Sequence, residues 1–71
     1  MTGAQFALIR RDLELTQSDL AAEFDVVKNT IWRIESKPAA KVDRRSEYAI
    51  RYLVSITNVG RPTSRRIEIP E

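Results

Sequence analysis

The chain has 71 residues, enough for one domain around a small core. It has no cysteine and no histidine, which excludes disulfides and thiolate metal sites and removes the commonest general base and metal ligand. No apolar run approaches the roughly 18 residues of a membrane span and no signal peptide is visible, so a cytoplasmic placement without membrane contact is expected.

The elements follow in chain order. A first helix is expected over about residues 3–13, with Thr2 as its N-cap and Phe6, Ile9, Arg10 and Leu13 on one face. Leu15 is a core candidate in the connection. Thr16 opens a second helix through a capping box with Asp19, and Leu20, Ala21 and Phe24 form its buried stripe. Asp25-Val26-Val27 is a turn in which Val26 is expected to plug the angle between helices. A third helix spans about 28–36, with Ile31 and Ile34 inward and Lys28, Asn29, Trp32 and Arg33 outward; Pro38 stops it.

Residues 37–42 read as a loop carrying Lys37 and Lys41. Helix four is expected from 43 or 44 to about 57, with Asp43 as N-cap. Tyr48, Ala49, Tyr52, Leu53 and Ile56 form one stripe, with Ile50 and Val54 beside it. That face is wider than a single core contact needs, and Tyr52 and Ile56 are candidates for a dimer surface. Asn58, Gly60 and Pro62 end the helix. The tail from Arg65 to Pro70 alternates polar and apolar residues and reads as a short strand. A lone strand has no partner in a four-helix domain. Ile67 and Ile69 would then sit at an intersubunit contact, or the tail would stay disordered. There is no internal repeat or low-complexity segment.

Charge is unevenly placed. Residues 1–25 sum to −3 and residues 26–66 to +7, within a net charge of +2. A directed polyanion-binding face has this distribution, and so does an ordinary solvated surface.

Two short helices joined by a tight turn, the second with a polar outward row, form the layout of a helix-turn-helix, here residues 16–36. Phe6-x-x-Ile9-Arg10, Leu15-Thr16-Gln17-x-x-Leu20-Ala21, Val26, Thr30-Ile31 and Arg33-Ile34-Glu35 stand at fixed spacing. Over Phe6 to Lys37, about half the chain, this pattern resembles the Cro/CI-type (XRE-like) helix-turn-helix family of phage and bacterial repressors. The resemblance implies an all-α, lambda-repressor-like domain of four or five helices that binds operator DNA as a homodimer. The domain is drawn at residues 1–58, with 59–71 a tail. Two positions depart from the family pattern. Asp25 stands where glycine is frequent in the turn, and Val27 stands where Ser or Thr usually caps the third helix.

Lys28, Asn29 and Arg33 are the first base-reading candidates, because Arg pairs two hydrogen bonds with guanine and Asn with adenine. Thr30 offers a methyl or a hydroxyl. Trp32 either packs on helix four or the loop, or touches a DNA sugar or a thymine methyl. Lys37, Lys41, Arg44 and Arg45 read as a backbone clamp; two cations in a first helical turn oppose the helix dipole unless an anion docks there. The resemblance adds Gln17 as a phosphate ligand and Arg10–Glu35 as a salt bridge bracing the reading helix. No catalytic constellation, glycine-rich phosphate loop or metal-spaced ligand set occurs, so neither an enzyme nor a cofactor is expected. The leading expectation is a dimeric repressor of its own operon on double-stranded DNA. The alternative is an antitoxin or adaptor that binds a partner protein through helix four and the tail.

Overall fold

The computed structural model describes residues 1–69. It is all-α: α1 spans Gly3–Asp12, α2 Gln17–Phe24, α3 Lys28–Glu35 and α4 Arg44–Asn58, with one 3-10 turn at Thr63–Arg65. Three of the four α-helices start where a side chain can answer their free N–H groups. Thr2 Oγ1 accepts from the Gln5 N–H at 3.3 Å while Gln5 Oε1 accepts from the Thr2 N–H at 2.9 Å. Thr16 and Asp19 repeat the reciprocal pair at 3.0 and 3.1 Å, and Asp43 Oδ2 accepts from the Ser46 N–H at 3.1 Å. The third helix is the exception: Val27 gives it no side-chain cap.

Among the described residues two non-glycine residues adopt left-handed backbone conformations, and both follow helix ends. Glu14 (φ 61°) follows α1 and Asp25 (φ 55°) follows α2. At the second site the Val26 N–H reaches back to the Ala21 carbonyl at 2.9 Å, which satisfies a carbonyl left over by the helix end.

The core is one cluster: Phe6 and Ile9 from α1, Leu20 and Ala21 from α2, Ile31 from α3, Val42 from the loop, Ile50 and Val54 from α4, and Ile67 from the tail. Phe24 is half-buried and meets the Phe6 ring edge-on at 6.4 Å.

Three expectations are corrected. Val26 does not plug the α2–α3 angle; it is 40% exposed, and its backbone N–H, bonded to the Ala21 carbonyl, helps hold the turn. On α4 the deeply buried residues are Ile50 and Val54, whereas Tyr48, Tyr52 and Ile56 are exposed. An amphipathic pattern finds the axis of a wide apolar face but not which flank is covered. Third, residues 65–69 form no strand. The tail folds back on its own domain, where the Asn58 side-chain amide accepts from the Ile67 N–H at 2.8 Å and donates to the Ile67 carbonyl at 3.0 Å. Asn58 therefore supplies both bonds that a neighbouring strand would have made. Ile67 is buried and Ile69 half-buried against the core. Pro70, the end of the expected strand, lies outside the described residues.

Candidate nucleic-acid interface

The third helix is a ridge with a cleft on each side. Lys28, Asn29 and Trp32 line one cleft together with Gln17. Thr30 and Arg33 line the other, with Lys37 and Lys41 from the following loop. Lys28, Asn29, Trp32 and Arg33 are all exposed, and Thr30 is half-buried. The spacing explains the division. Lys28 and Trp32 lie four apart and Asn29 and Trp32 three apart, so they are stacked on one side, while Thr30 and Arg33 share the next row.

The position of α3 is set by one polar network. Arg10 Nε and Nη2 donate to the two Glu35 carboxylate oxygens at 2.6 and 2.9 Å. Arg10 Nη1 donates to the Leu15 carbonyl at 2.8 Å. Gln17 Nε2 donates to Glu35 Oε1 at 3.1 Å. The ion-paired side chains are only 12% and 9% exposed. Three helices and one connection thus meet at a single forked pair. The Gln17 link was not anticipated: its amide nitrogen is bound inside the protein. What α2 still offers an anion at this end is its first-turn backbone N–H groups and the positive end of its dipole.

The loop after α3 is held by the start of α1. The Gly3 N–H donates to the Ala40 carbonyl at 3.0 Å, the Ala4 N–H to Pro38 at 3.1 Å, and the Val42 N–H to Met1 at 2.9 Å. Thr2 and Lys41 form an isolated antiparallel bridge. The contact is so close that a Cβ on Gly3 would lie 2.5 Å from the carbonyl oxygens of both Ile34 and Lys37. This fixation holds Lys37 and Lys41 beside α3. Sequence reasoning missed Gly3, because its requirement comes from a segment more than thirty residues away.

The four cations expected to act together are not in one place. Lys41 lines the cleft with Lys37 and also borders Arg44, beside Tyr48. Arg45, one residue on, turns to a different groove between α2 and α4.

The carboxylates that hold this geometry are poised to stay charged. Burial pushes Glu35 up, but the hydrogen bonds from Arg10 and Gln17 and the nearby positive charge outweigh it, so its pKa is lowered. Asp43 behaves likewise, with bonds from Ser46 overcoming burial. Asp19 is lowered first by the backbone hydrogen bond from Thr16. Glu47 is lowered first by its bond from the Met1 ammonium at 3.1 Å, with Arg51 adding to it. A carboxylate with a depressed folded pKa contributes stability above its unfolded value and loses it as pH falls through the folded one. Ordinary values here are 4.5 for Glu and 3.8 for Asp. Helicity followed by circular dichroism from pH 7 to 2 is therefore expected to hold steady down to about pH 4.5 and then fall; a loss centred above pH 5 would show that these contacts do not carry the acid stability.

No protein-family model, curated protein or solved structure matches this chain. The site is therefore read from its own residues. Among the described residues no cluster of three or more His, Cys, Asp or Glu could hold a metal ion, and no helix is long and apolar enough to cross a membrane.

Proposed function

We propose that α2 and α3 form a helix-turn-helix and that the chain is a sequence-specific DNA-binding repressor. The observation that carries this is α3 itself. It is a short helix with a polar, exposed outer row, braced at its C-terminal end by Arg10–Glu35 and flanked by a loop bearing Lys37 and Lys41. In the major groove Arg33 and Asn29 read base edges, Lys28 donates to a base or a phosphate, and Trp32 presents an apolar edge. Lys37, Lys41 and Arg44 contact phosphates and set register. The uncapped start of α3 and the first turn of α2 add backbone donors for phosphate oxygens.

Two copies place two such helices about 34 Å apart on an inverted repeat. Bound at a promoter, they occlude polymerase, and autoregulation of the encoding operon is the simplest circuit for so small a protein. The adaptor reading draws on the exposed Tyr48, Tyr52 and Ile56 of α4, and the two roles are compatible.

The test is a gel shift on the DNA upstream of the encoding gene, against scrambled DNA of equal length and salt. A tight, salt-sensitive shift confined to the native sequence is expected. Arg33→Ala should cost about 1–3 kcal/mol at one base position and relax specificity there. Arg44→Ala should weaken all sequences alike and reduce the salt slope by about one. Equal weak binding to both DNAs would sink the proposal.

A further inference from the structure

The segment after α4 carries a charge cluster that the contacts proposed for α3 and its loop leave unused. Arg61, Arg65 and Arg66 fall within six residues, and no acid lies between them. Arg65 and Arg66 are exposed and Arg61 is half-buried. Among the described residues none of the three makes an ion pair, and neither does the exposed Glu68.

The cluster sits on a closed turn. The Arg61 N–H donates to the Asn58 carbonyl at 3.0 Å, the Arg65 N–H to Pro62 at 2.9 Å and the Arg66 N–H to Thr63 at 3.4 Å. The Asn58 side chain closes the far side through its two bonds to Ile67, which is buried in the core. Arg61 Nη1 crosses the turn to the Arg65 carbonyl at 3.4 Å. The backbone, Asn58 and Arg61 thus build the turn, and the guanidinium groups of Arg65 and Arg66 are left to the solvent. A surface ordered in advance loses less entropy when it binds.

Two observations decide what it binds. Arginine near a helix C-terminus ordinarily serves the helix dipole or its last carbonyls. Here backbone N–H groups meet those carbonyls, Val59 at Ile56 and Arg61 at Asn58, and among the described residues no guanidinium bonds to α4. A protein interface is anchored by buried apolar and aromatic side chains. From Gly60 to Arg66 the turn offers only Pro62 of that kind; the rest of its exposed side chains are Thr63, Ser64, Arg65 and Arg66. Guanidinium forks beside hydroxyl groups are the donor set of a phosphodiester backbone.

We propose that the 61–66 turn is a second DNA-backbone site, with Arg65 and Arg66 on phosphates outside the half-site that α3 reads and Arg61 positioning them. The 15 residues of α4 span about 22 Å, so the turn and Arg44 stand at opposite ends of that helix and form separate cationic surfaces. The contact is sequence-independent and adds affinity to every DNA alike. It rests on the reading that the partner is DNA, but on residues of its own.

The experiment is nuclear magnetic resonance on the full nitrogen-15-labelled chain, titrated with the upstream DNA and with a scrambled duplex. The Arg65 and Arg66 Nε–H signals should move with both duplexes and return as salt is raised. In parallel binding titrations Arg65→Gln/Arg66→Gln should lower the salt slope by about 2 on either DNA and leave the native-to-scrambled ratio unchanged. Arg65→Lys/Arg66→Lys keeps the charge and should keep the slope. Both positions are exposed, so circular dichroism should show all variants folded. Arg65 and Arg66 signals that stay still while α3 signals move, a glutamine variant with the wild-type slope, or one with an altered native-to-scrambled ratio would overturn this proposal and leave the α3 reading standing. Movement at the turn with α3 silent on the upstream DNA would overturn the α3 reading and support the turn. No movement anywhere would overturn both.

Discussion

Replacing Arg10 with methionine is expected to cost the fold about 3 kcal/mol, because it leaves the Glu35 carboxylate nearly buried without its cation. Glu35 is 9% exposed and takes three hydrogen bonds, two from Arg10 and one from Gln17. Removing Arg10 deletes two of them and the bond to the Leu15 carbonyl. What remains is a carboxylate that burial pushes toward protonation, so the acid transition should also move up in pH. Glu35→Gln should be milder, since a neutral amide keeps the shape and can still accept from Arg10.

The double variant Arg10→Met/Glu35→Met separates charge from bracing. With no unpaired charge left, much of the lost stability should return. DNA affinity should not return with it, because the polar brace from the end of α3 to α1 and α2 is then gone. Urea melts followed by circular dichroism, beside DNA titrations of the same proteins, check both statements. If Arg10→Met melted within about 1 kcal/mol of the wild type, the pair would be an exposed contact of small worth. If the double variant recovered DNA binding along with stability, the brace would have no part in positioning α3.

This network also marks how far the sequence could be read. The pair itself came from a motif, Arg10 and Glu35 at set distances from the turn, and it is present. The third member did not. A glutamine in the first turn of α2 reads as a phosphate ligand or as a solvated amide; the bond to Glu35 is neither, and it uses one of the two N–H groups of the amide. Helix positions were legible to within a residue or so, because their starts are local: Thr2, Thr16 and Asp43 each bond to a backbone three residues away. Asp25 was legible as a left-handed position through the family pattern, which favours glycine there; Glu14, which adopts the same conformation in the connection after α1, carried no such signal.

Long-range facts were not legible. The apolar residues of α4 cover so much of its circumference that periodicity could not choose between the Ile50–Val54 side and the Tyr52–Ile56 side. The first packs on α1 and the core; the second is left outside. Alternation at residues 65–69 was real, but alternation needs a partner to become a strand. The Asn58 amide, nine residues before Ile67, provided that partner within the chain. Arg44 and Arg45 looked like one feature because they are adjacent. Neighbours on a helix point about 100° apart, so one borders Lys41 and the other enters the α2–α4 groove.

The second large effect is expected at Gly3. In sequence it is only a weak helix former at the start of α1, and replacing it with alanine would ordinarily favour the helix. The structure reverses that sign. An alanine Cβ would lie 2.5 Å from two backbone carbonyl oxygens, those of Ile34 and Lys37, and neither can swing aside as a side chain tip would. Relief requires α1 to withdraw from the α3 end, which stretches the bonds from Gly3 to Ala40 and from Ala4 to Pro38. Gly3→Ala is therefore expected to destabilise by about 3 kcal/mol, at the upper end of overpacking costs. Gly60 provides the comparison. Nothing lies within 4 Å of a Cβ there, but its φ is +79°, so Gly60→Ala should cost only about 1 kcal/mol of backbone strain. The two variants also differ in what they disturb. Gly3→Ala should speed hydrogen exchange of the Val42 amide, which bonds to Met1, and weaken DNA binding through the displaced Lys37 and Lys41. Gly60→Ala should leave both unchanged. A Gly3→Ala protein that melts with the wild type and protects Val42 as well would mean that the α1 start does not press on the loop, and that another contact fixes the cationic side of α3.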